Sequence, residues 1–581
     1  MAHKKTKPPQ NFAESEIGTI RKSHTARIRI ALVYPNEYHI GMSNLGFQAT
    51  YRLLNQIDGL ACERAFLPHD IKHKRGTLQT VESGKSIRDF DIIAFSVSFE
   101  NDYPNILTAL HSSGLPLRTS DRKAPLPLVI AGGVTCFLNP EPIAAFIDCF
   151  LIGEAEVMLE PFAGCLLGCD PGSSAGRREC LKTIAQNVPG AYVPAFYRLE
   201  YNADGTLSRF EPRINVPPKI KRTYVKDLSA IATHTSIVTP HTTFNETFLI
   251  EVGRGCPHGC RFCGAGFVYR PSRFRPIPLL QDCIRQGTKI TDKIGLVGAA
   301  VSDLPGIEQL CNRYLKQEAV LSFSSLRADA LGPELVSVLR QSKIKTATIA
   351  PDAGSERMRR VINKGITEDK VLAAVDTFVE SGIPNLKLYF MIGLPTETLD
   401  DVEDIITLCK KIKHRFLRSS RSMKRIGEIT VSLNSFVPKP FTPFQWVAMD
   451  DVPTLKIKIK KIKKGLKKVA NVRIHADIPR WAYVQALLSR GDRRVADILS
   501  LAHDNHDNWP QTLKATPLNS DFYTLRERHP EELLPWDFID HGIKKSFLAM
   551  EYKRALQEKT SPACPIESCS ICGVCQEEAA E

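Results

Sequence analysis

Two series of buried, strand-like runs that alternate with helical stretches limit the possible folds of this 581-residue chain more than any other feature. The first series has runs at residues 28–34, 92–97, 128–131 and 150–152, which lead into short loops and helical stretches. Repetition of strand, loop and helix predicts a doubly wound parallel sheet with helices on both faces. Such a sheet binds its ligands at the carboxyl ends of its strands.

The second series predicts a partly closed barrel. Its runs lie at residues 248–252, 294–297, 321–324, 346–350, 386–391 and 428–433. Six strands joined by five helices imply right-handed crossovers and a partial (β/α)6 barrel. We therefore expect an α/β protein of several domains. They are a basic flexible tail at 1–26, a first α/β domain at 27–200, a linker at 201–245, the barrel at 246–450 and a mixed C-terminal extension at 451–581.

Charge and cysteine content narrow the class of protein. No apolar run is long enough to span a membrane and no apolar stretch follows the charged N-terminus, so we expect a cytoplasmic protein. Sixteen cysteines in a reducing compartment indicate metal sites where they cluster and small buried residues elsewhere. The net charge of +14 leaves nucleic acid open as a partner. The apolar spacing within the lysine-rich segment 454–468 favours instead a packed helix with a solvated basic side.

The first cysteine cluster, Cys256, Cys260 and Cys263, directly follows the first barrel strand. Three thiolates on one short loop can bind three irons of a cubane 4Fe–4S cluster and leave the fourth iron without a protein ligand. An open metal position is what catalysis needs, as at catalytic zinc sites. The alternatives are a zinc site with His258 as a fourth ligand, and a cluster used only for electron transfer.

This C-x-x-x-C-x-aromatic-C sequence, with Phe262 as the aromatic residue, resembles the radical S-adenosylmethionine (SAM) superfamily. Segments 351–365, 387–397 and 436–446 resemble the fourth-, fifth- and sixth-strand motifs of those members that have a cobalamin-binding domain. The resemblance covers nearly the whole chain and implies a flavodoxin-like N-terminal domain followed by a radical SAM barrel. It implies an enzyme that binds SAM at the open iron and reductively cleaves it to a 5′-deoxyadenosyl radical.

The resemblance also implies which residues contact SAM at the ends of the barrel strands. They are Phe262, Ser302, Asp303, Ser324, Ser325, Arg327, Asp352, Ser355, Gly393 and Pro395. Asp352 stands where we expect the longer Glu in related sequences. For each polar residue, a role in the turn that ends its strand is the alternative.

In the N-terminal domain the resemblance implies cobalamin, held by the loops that follow the strands. The matching residues are Tyr38, His39, Gly41, Ser96, Ser98, Gly132, Gly133, Gly153 and Glu154. Glycines and small residues at these positions leave room for a nucleotide-like tail beneath a corrin. His39 lies in a sequence close to the D-x-H-x-x-G pattern whose histidine ligates cobalt, and is otherwise a loop or core histidine. A domain without the ligand would be a scaffold.

A second cluster, Cys564, Cys569, Cys572 and Cys575, lies near the C-terminus. Three cysteines at two-residue spacing suit a second cubane better than zinc, whose four-cysteine sites usually pair two separated C-x-x-C turns. Cys564 either completes a closed electron-transfer site or stays free and leaves an iron open for substrate. Zinc remains the alternative.

Together these features predict a radical SAM enzyme that receives its electron from a reductant such as flavodoxin or ferredoxin. Cobalamin-dependent methyl transfer to an unactivated centre is the leading reaction. Radical modification of RNA or protein, such as methylthiolation, is the alternative within enzymes. An iron–sulfur sensor or a nucleic-acid-binding protein is the alternative outside them.

Overall fold

The computed structural model describes residues 12–22, 26–68, 76–169, 172–315, 320–324, 327, 332–342, 344–420, 427–565, 569 and 571–575. Its first half contains a six-stranded sheet with strands β1 Ile28–Tyr34, β2 Leu60–Phe66, β3 Ile92–Ser96, β4 Leu128–Gly132, β5 Cys149–Leu151 and β6 Ala191–Tyr192. The strand order is β2-β1-β3-β4-β5-β6, and every neighbouring pair is parallel except β5 and β6. The predicted parallel sheet of the first domain is therefore confirmed.

The helices of this domain connect the strands. They are α1 Tyr38–Gly41, α2 Leu45–Gln56, α3 Tyr103–Ser112, α4 Val134–Leu138, α5 Ala155–Leu167 and α6 Ser174–Asn187. Helices α2 and α5 pack against each other, and α2 also packs on strand β2. Asn44 begins α2, because its side chain accepts a hydrogen bond from the amide of Phe47.

One buried ion cluster orders strand β2 and part of the expected tail. Sequence reasoning overlooked β2 because Glu63 and Arg64 interrupt its apolar run. In the structure the Arg64 side chain is fully buried and contacts Glu16 and Glu82, each at 2.6 Å. Since Glu16 lies within 1–26, residues 12–22 are held on the domain rather than forming a flexible tail; residues 1–11 lie outside the described part of the chain.

The expected linker at 201–245 is ordered as well. It follows strand β7 Tyr197–Tyr201, which pairs antiparallel with β8 Leu207–Pro212, and it contains β9 Ile220–Lys221. Isolated bridges join Gly153 to Thr223 and His234 to Ile250, so the segment is attached to both flanking domains. Pairing between residues distant in sequence leaves no local periodicity, which is why the segment resembled a linker.

All six strands predicted for the barrel are present, but the described residues divide them between two parallel sheets. The strands of this half are β10 Phe248–Glu251, β11 Gly253–Arg254, β12 Arg273–Phe274, β13 Lys293–Val297, β14 Val320–Phe323, β15 Thr346–Asp352, β16 Asn385–Ile392, β17 Ile429–Ser435 and β18 Val472–Ala476. One sheet has the order β10-β13-β14 and the other β15-β16-β17-β18, while β11 and β12 form a short antiparallel ladder. Strand β18 is an additional strand beyond residue 450, which we overlooked because its residues are all partly or fully exposed and include Arg473 and His475.

The helices of this half are α7 Ala265–Val268, α8 Ile277–Gly287, α9 Ile307–Leu315, α10 Pro333–Gln341, α11 Glu356–Val361, α12 Glu368–Glu380, α13 Leu399–Ser419 and α14 Val452–Leu466. Helix α14 is the lysine-rich segment. Its residues Leu455, Ile459, Ile462 and Leu466 are buried, as the helical spacing predicted. No helix of the described residues is both long enough and apolar enough to cross a membrane.

The C-terminal extension packs on the first domain. It contains helices α15 Pro479–Arg490, α16 Val495–Asp504, α17 Trp509–Ala515, α18 Asp521–Thr524 and α19 Lys545–Leu556, and strand β19 Ile539–Asp540, which pairs with β9. Leu487, Trp509 and Trp536 of the extension belong to the same hydrophobic core as the first sheet. Arg493 forms an ion pair with the buried Glu141 of the first domain at 3.1 Å. Helix α19 also packs against α11 of the barrel half.

Candidate active site at the cysteine loop

The loop that carries Cys256, Cys260 and Cys263 begins and ends at the ladder formed by β11 and β12. Cys260 is 9% exposed, and the other two thiols are half-buried. The amide of Cys263 donates to the carbonyl of Cys260 at 3.0 Å, which turns the chain between the two thiols. The loop therefore presents three cysteines from one compact turn.

Two neighbouring segments brace this loop. The amide of Arg261 donates to the carbonyl of Ile362 at 3.0 Å, and the side chain of Asn363 donates to the carbonyl of Gly259 at 3.1 Å. The fully buried guanidinium of Arg261 contacts Glu551 of α19 at 3.1 Å. Because a buried charge must be paired, this contact fixes α19 against the loop.

The electrostatic surroundings of the thiols fit an iron–sulfur cluster. Burial raises the pKa of Cys260 to about 12 and also raises the pKa values of Cys256 and Cys263. Lys364 opposes this effect at Cys260 and Cys263, and Arg327 opposes it at Cys256, so two cations lie near the three thiols. Thiolates are the iron ligands, and nearby cations stabilise them. The described residues contain no three His, Cys, Asp or Glu side chains around a single ion position; in a cubane each thiolate binds a different iron.

Acidic residues at the ends of the barrel strands lie close to the loop. His258 is 2.7 Å from Asp303, so this histidine, which we considered as a zinc ligand, is paired with a carboxylate instead. The second carboxylate oxygen of Asp303, Oδ2, is buried without a hydrogen-bond partner among the described residues. Asp352 has a φ of +63° at the end of β15 and binds Lys364 at 2.5 Å.

A cavity of about 470 Å³ connects the first domain with this loop. Its deep part is a slot between helices α2 and α5 and one face of the first sheet, where Leu32, Ala94 and Ile130 lie side by side on adjacent strands. Its outer part is lined by loop residues, among them Gly255 and Ala265. The space therefore reaches from the interior of the first domain to the cysteine loop.

Comparison with known proteins places this architecture in a family. Residues 46–194 match the family described as radical SAM proteins, N-terminal, and residues 250–409 match the radical SAM superfamily. An uncharacterised protein of Methanocaldococcus jannaschii is 33% identical over 476 residues, covering 81% of this chain and 90% of that protein. The chain belongs to the radical SAM superfamily. It is a radical SAM enzyme, and radical SAM enzymes bind a 4Fe–4S cluster and SAM.

Other similar proteins cover the chain to different extents. An uncharacterised methyltransferase of Pyrococcus horikoshii is 25% identical over 176 residues, or 28% of this chain and 37% of that protein. The radical SAM methyltransferase TsrM from Kitasatospora setae, solved with cobalamin and a [4Fe-4S] cluster bound, has a TM-score of 0.47 and 12% identity, covering 84% of this chain and 100% of that chain. The cobalamin-dependent radical SAM enzyme OxsB, with aqua-cobalamin and SAM bound, has a TM-score of 0.42 and 13% identity, covering 91% of this chain and 79% of that chain.

The structure separates the residues predicted to contact SAM into two groups. One group lies near the thiols: Ser302, Asp303, Arg327 and Asp352. The hydroxyl of Ser302 accepts a hydrogen bond from the amide of Arg327 at 3.3 Å. The charge of Asp303 raises the pKa of Cys256, and that of Asp352 raises the pKa of Cys260. The others have local partners. Ser324 exchanges hydrogen bonds with Gly298, Ser355 caps α11 and donates to Asp401, Gly393 donates to Glu397, Pro395 is buried, and Phe262 packs in the core around Met358. Ser325 lies outside the described residues.

The residues predicted for cobalamin divide in the same way. Those that line the cavity are Ser96, Ser98, Gly132, Gly133, Gly153 and Glu154. Gly133 has a φ of +109°, and a Cβ there would overlap the carbonyl of Val97, so only glycine fits this turn. The cavity lining does not include Tyr38, His39 and Gly41. His39 is exposed and 3.4 Å from Glu37, whereas a Cβ on Gly41 would contact Phe66 at 2.5 Å, so this turn serves the packing of α1.

Sequence reasoning missed three groups of the site. Lys364 lay within a motif that we recognised, but only its contact with Asp352 reveals its place beside the thiols. Glu156 and Arg254 also line the cavity and bind each other at 2.5 Å across the domain boundary. In the sequence these three residues are marked only by a charge close to the end of a predicted strand. Many surface residues share that feature, so it does not predict a functional site.

Proposed function

We propose that this radical SAM enzyme is cobalamin-dependent and transfers a methyl group to an unactivated carbon or phosphorus centre. The observation that carries the proposal is the single cavity that runs from the first domain to the cysteine loop. When bound, the cluster and SAM supply a hydrogen-abstracting 5′-deoxyadenosyl radical, and cobalamin supplies the methyl group. The name of the Pyrococcus horikoshii relative, a methyltransferase, points to the same class of reaction.

The deep slot suits the nucleotide-like tail of cobalamin. The sheet order β2-β1-β3-β4-β5 is that of flavodoxin-like domains, whose ligands sit at the carboxyl ends of the strands. The rows Leu32–Ala94–Ile130 and Ser96–Gly132–Leu151 face the slot from one side of the sheet, with the small residues nearest the strand ends. This arrangement leaves a flat, largely apolar space that opens towards the cysteine loop, where the corrin would lie.

Ion pairs connect the first domain to the cysteine loop beside the cavity. Glu154 is buried and binds Arg254 at 2.8 Å and Arg273 at 2.7 Å, and these arginines keep its pKa below the usual value despite burial. Both arginines belong to the ladder at which the cysteine loop starts and ends. We assign Glu154 a positioning role, because its carboxylate is already occupied by two guanidinium groups.

The other end of the cavity suits SAM. The Oδ2 of Asp303 is a buried acceptor without a hydrogen-bond partner among the described residues, and the charge of Asp303 raises the pKa of Cys256. This acceptor suits a ribose hydroxyl or the ammonium group of SAM. Its other oxygen is held by His258 at 2.7 Å, which fixes the orientation of the carboxylate. A flavodoxin- or ferredoxin-type protein in the reducing cytoplasm would supply the electron.

No histidine is among the described residues that line the cavity. We therefore propose that none of the described histidines, His39 included, binds the cobalt of cobalamin. The measurement is the electron paramagnetic resonance (EPR) spectrum of the cob(II)alamin form, in which a nitrogen ligand splits the signal. Nitrogen splitting that disappears in His39→Ala would contradict the proposal.

The whole proposal is tested with anaerobically reconstituted, reduced protein. We expect 5′-deoxyadenosine from SAM, cobalamin that stays bound through gel filtration, and loss of the first property alone in a Cys256→Ala, Cys260→Ala, Cys263→Ala variant. Protein that cleaves SAM but never retains cobalamin would reject methyl transfer. Protein that retains cobalamin but never cleaves SAM would reject radical chemistry.

A further inference from the structure

The C-terminal cysteines form a compact group that the radical SAM site does not use. Cys564, Cys569, Cys572 and Cys575 lie within twelve consecutive residues of the chain. Cys572 is only 2% exposed, and the amide of Ile571 donates to the sulfur of Cys569 at 3.4 Å.

The turn that carries these cysteines is fixed on the loop before α19. The amide of Lys544 donates to the carbonyl of Cys572 at 2.9 Å. Gly573 has a φ of +103°, and a Cβ there would lie 2.9 Å from the carbonyl of Gly542. The close approach requires glycine at this position and holds the cysteine turn in place.

A buried cation lies beside the group. Arg270 is 6% exposed, and its guanidinium lies over the rings of Phe267 and Phe547. Phe547 comes three residues after Lys544, whose amide donates to the carbonyl of Cys572. No carboxylate of the described residues forms an ion pair with it. A buried cation without a carboxylate needs another source of negative charge, and four thiolates around a metal centre provide one.

The same segment docks directly on the loop of the first cluster. The amide of Cys564 donates to the carbonyl of Pro257, next to Cys256, at 2.7 Å. Three residues earlier, the amide of Ser561 donates to Asn363 at 2.8 Å, and Asn363 in turn holds Gly259 of the loop. The two groups of cysteines are therefore adjacent in space although about 300 residues separate them in the chain.

We propose that Cys564, Cys569, Cys572 and Cys575 bind a second 4Fe–4S cluster with all four irons ligated by protein, docked on the loop of the SAM-binding cluster and balanced in charge by Arg270. Four-cysteine zinc sites usually pair two C-x-x-C turns separated by a longer connection, whereas here Cys569, Cys572 and Cys575 follow one another at two-residue spacing. In a cubane each sulfur binds a different iron, and the short C-x-x-C-x-x-C spacing suits that geometry. This inference does not depend on the cobalamin proposal.

The test uses the full chain, reconstituted anaerobically, and measures iron, sulfide and zinc together with EPR spectra of the reduced protein. Wild type should hold about eight irons per chain, as two cubanes require. The Cys256→Ala, Cys260→Ala, Cys263→Ala variant should keep about four, with a spectrum that SAM does not change. A Cys569→Ser, Cys572→Ser variant should keep about four, with a spectrum that SAM does change. The buried Cys311→Ser serves as the control and should keep wild-type iron.

These outcomes separate the two proposals. A second cluster is rejected if the C-terminal variant keeps all wild-type iron, or if wild type holds about four irons and one zinc that this variant loses. Failure of the SAM-dependent change in the C-terminal variant would reject the radical SAM site instead. Because cysteine variants can misfold, Arg270→Met provides an independent readout: it should lower the midpoint potential of the SAM-insensitive signal, since it removes a positive charge that favours the reduced form. Arg270→Lys should restore most of that shift, and an unchanged potential in Arg270→Met would reject the assigned role of Arg270.

Discussion

The cavity assignment predicts that one substitution, Gly132→Leu, stabilises the unloaded protein while it weakens cobalamin binding. Gly132 ends β4 on the face that lines the slot, and a Cβ there would meet only the carbonyl of Leu151, at 3.6 Å. Glycine in a strand costs about 0.5–1 kcal/mol relative to alanine. The three further carbons of leucine contribute up to about 0.8 kcal/mol each when buried in the empty slot, less about 0.5–1 kcal/mol of side-chain entropy. The unloaded variant should therefore be more stable by about 2 kcal/mol.

The same side chain occupies space that the ligand needs. Overpacking of a fitted site costs about 1–3 kcal/mol, which corresponds to about 5- to 150-fold weaker binding. The assay compares thermal unfolding without cobalamin and equilibrium dialysis with it, both after identical cluster reconstitution. Gly164→Leu is the matched control, because Gly164 lies on the exposed side of α5 and its Cβ would contact nothing within 4 Å. A folded Gly132→Leu variant with wild-type affinity would refute the assignment of the slot.

Three further substitutions test charged residues, two of them beside the cysteine loop and one in the first domain. Arg261→Met leaves the buried carboxylate of Glu551 with the hydroxyl of Ser561, at 2.7 Å, and the more distant Arg554, at 3.9 Å. We therefore expect a loss of about 3 kcal/mol in stability, the lower end for a broken buried ion pair, and less bound iron; an unchanged unfolding midpoint would contradict this. Lys364→Met removes the cation that binds Asp352 beside the thiols and should lower the midpoint potential of the SAM-binding cluster, as followed by EPR during a redox titration. Burial raises the pKa of Asp102 to about 6 in the folded protein, so its folded-state pKa exceeds the unfolded one and stability is lost as pH rises from about 4 to 6. At pH 7.5 the free energy of unfolding of Asp102→Asn should therefore exceed that of wild type by up to about 3 kcal/mol, which a higher unfolding temperature would show. The difference should vanish near pH 4; a difference that does not change with pH would contradict the assigned cause.

The sequence was sufficient for those features that depend on local pattern. The spacing of Cys256, Cys260 and Cys263 after a buried strand predicts the cluster ligands, and their loop lies beside the cavity. Of the residues predicted at the ends of β3, β4 and β5, the serines and glycines line the same cavity. Hydrophobic periodicity also located all six predicted barrel strands to within a few residues. Each of these signals lies within a window of about 10 residues.

Features that depend on distant partners were not predictable in this way. The sequence of strand β2 looks polar because it contains Arg64. This arginine can be buried because Glu16 and Glu82 pair with its charge. The slot requires that α2 and α5 leave a gap against the sheet, and neither helix has an unusual sequence. His39 had the better local pattern for a cofactor ligand, yet the turn around it packs on Phe66 instead.

The residues between the three cysteines connect the loop to several separate segments of the molecule. The carbonyl of Pro257 accepts the amide of Cys564, His258 pairs with Asp303, and the carbonyl of Gly259 accepts the side chain of Asn363. Arg261 binds helix α19, and Phe262 packs in the core beside α11. The cysteine spacing specifies only the thiols, and each intervening residue connects them to a different segment. These segments include a strand-end carboxylate and the C-terminal cysteines, so the position of the thiols depends on contacts from distant parts of the chain.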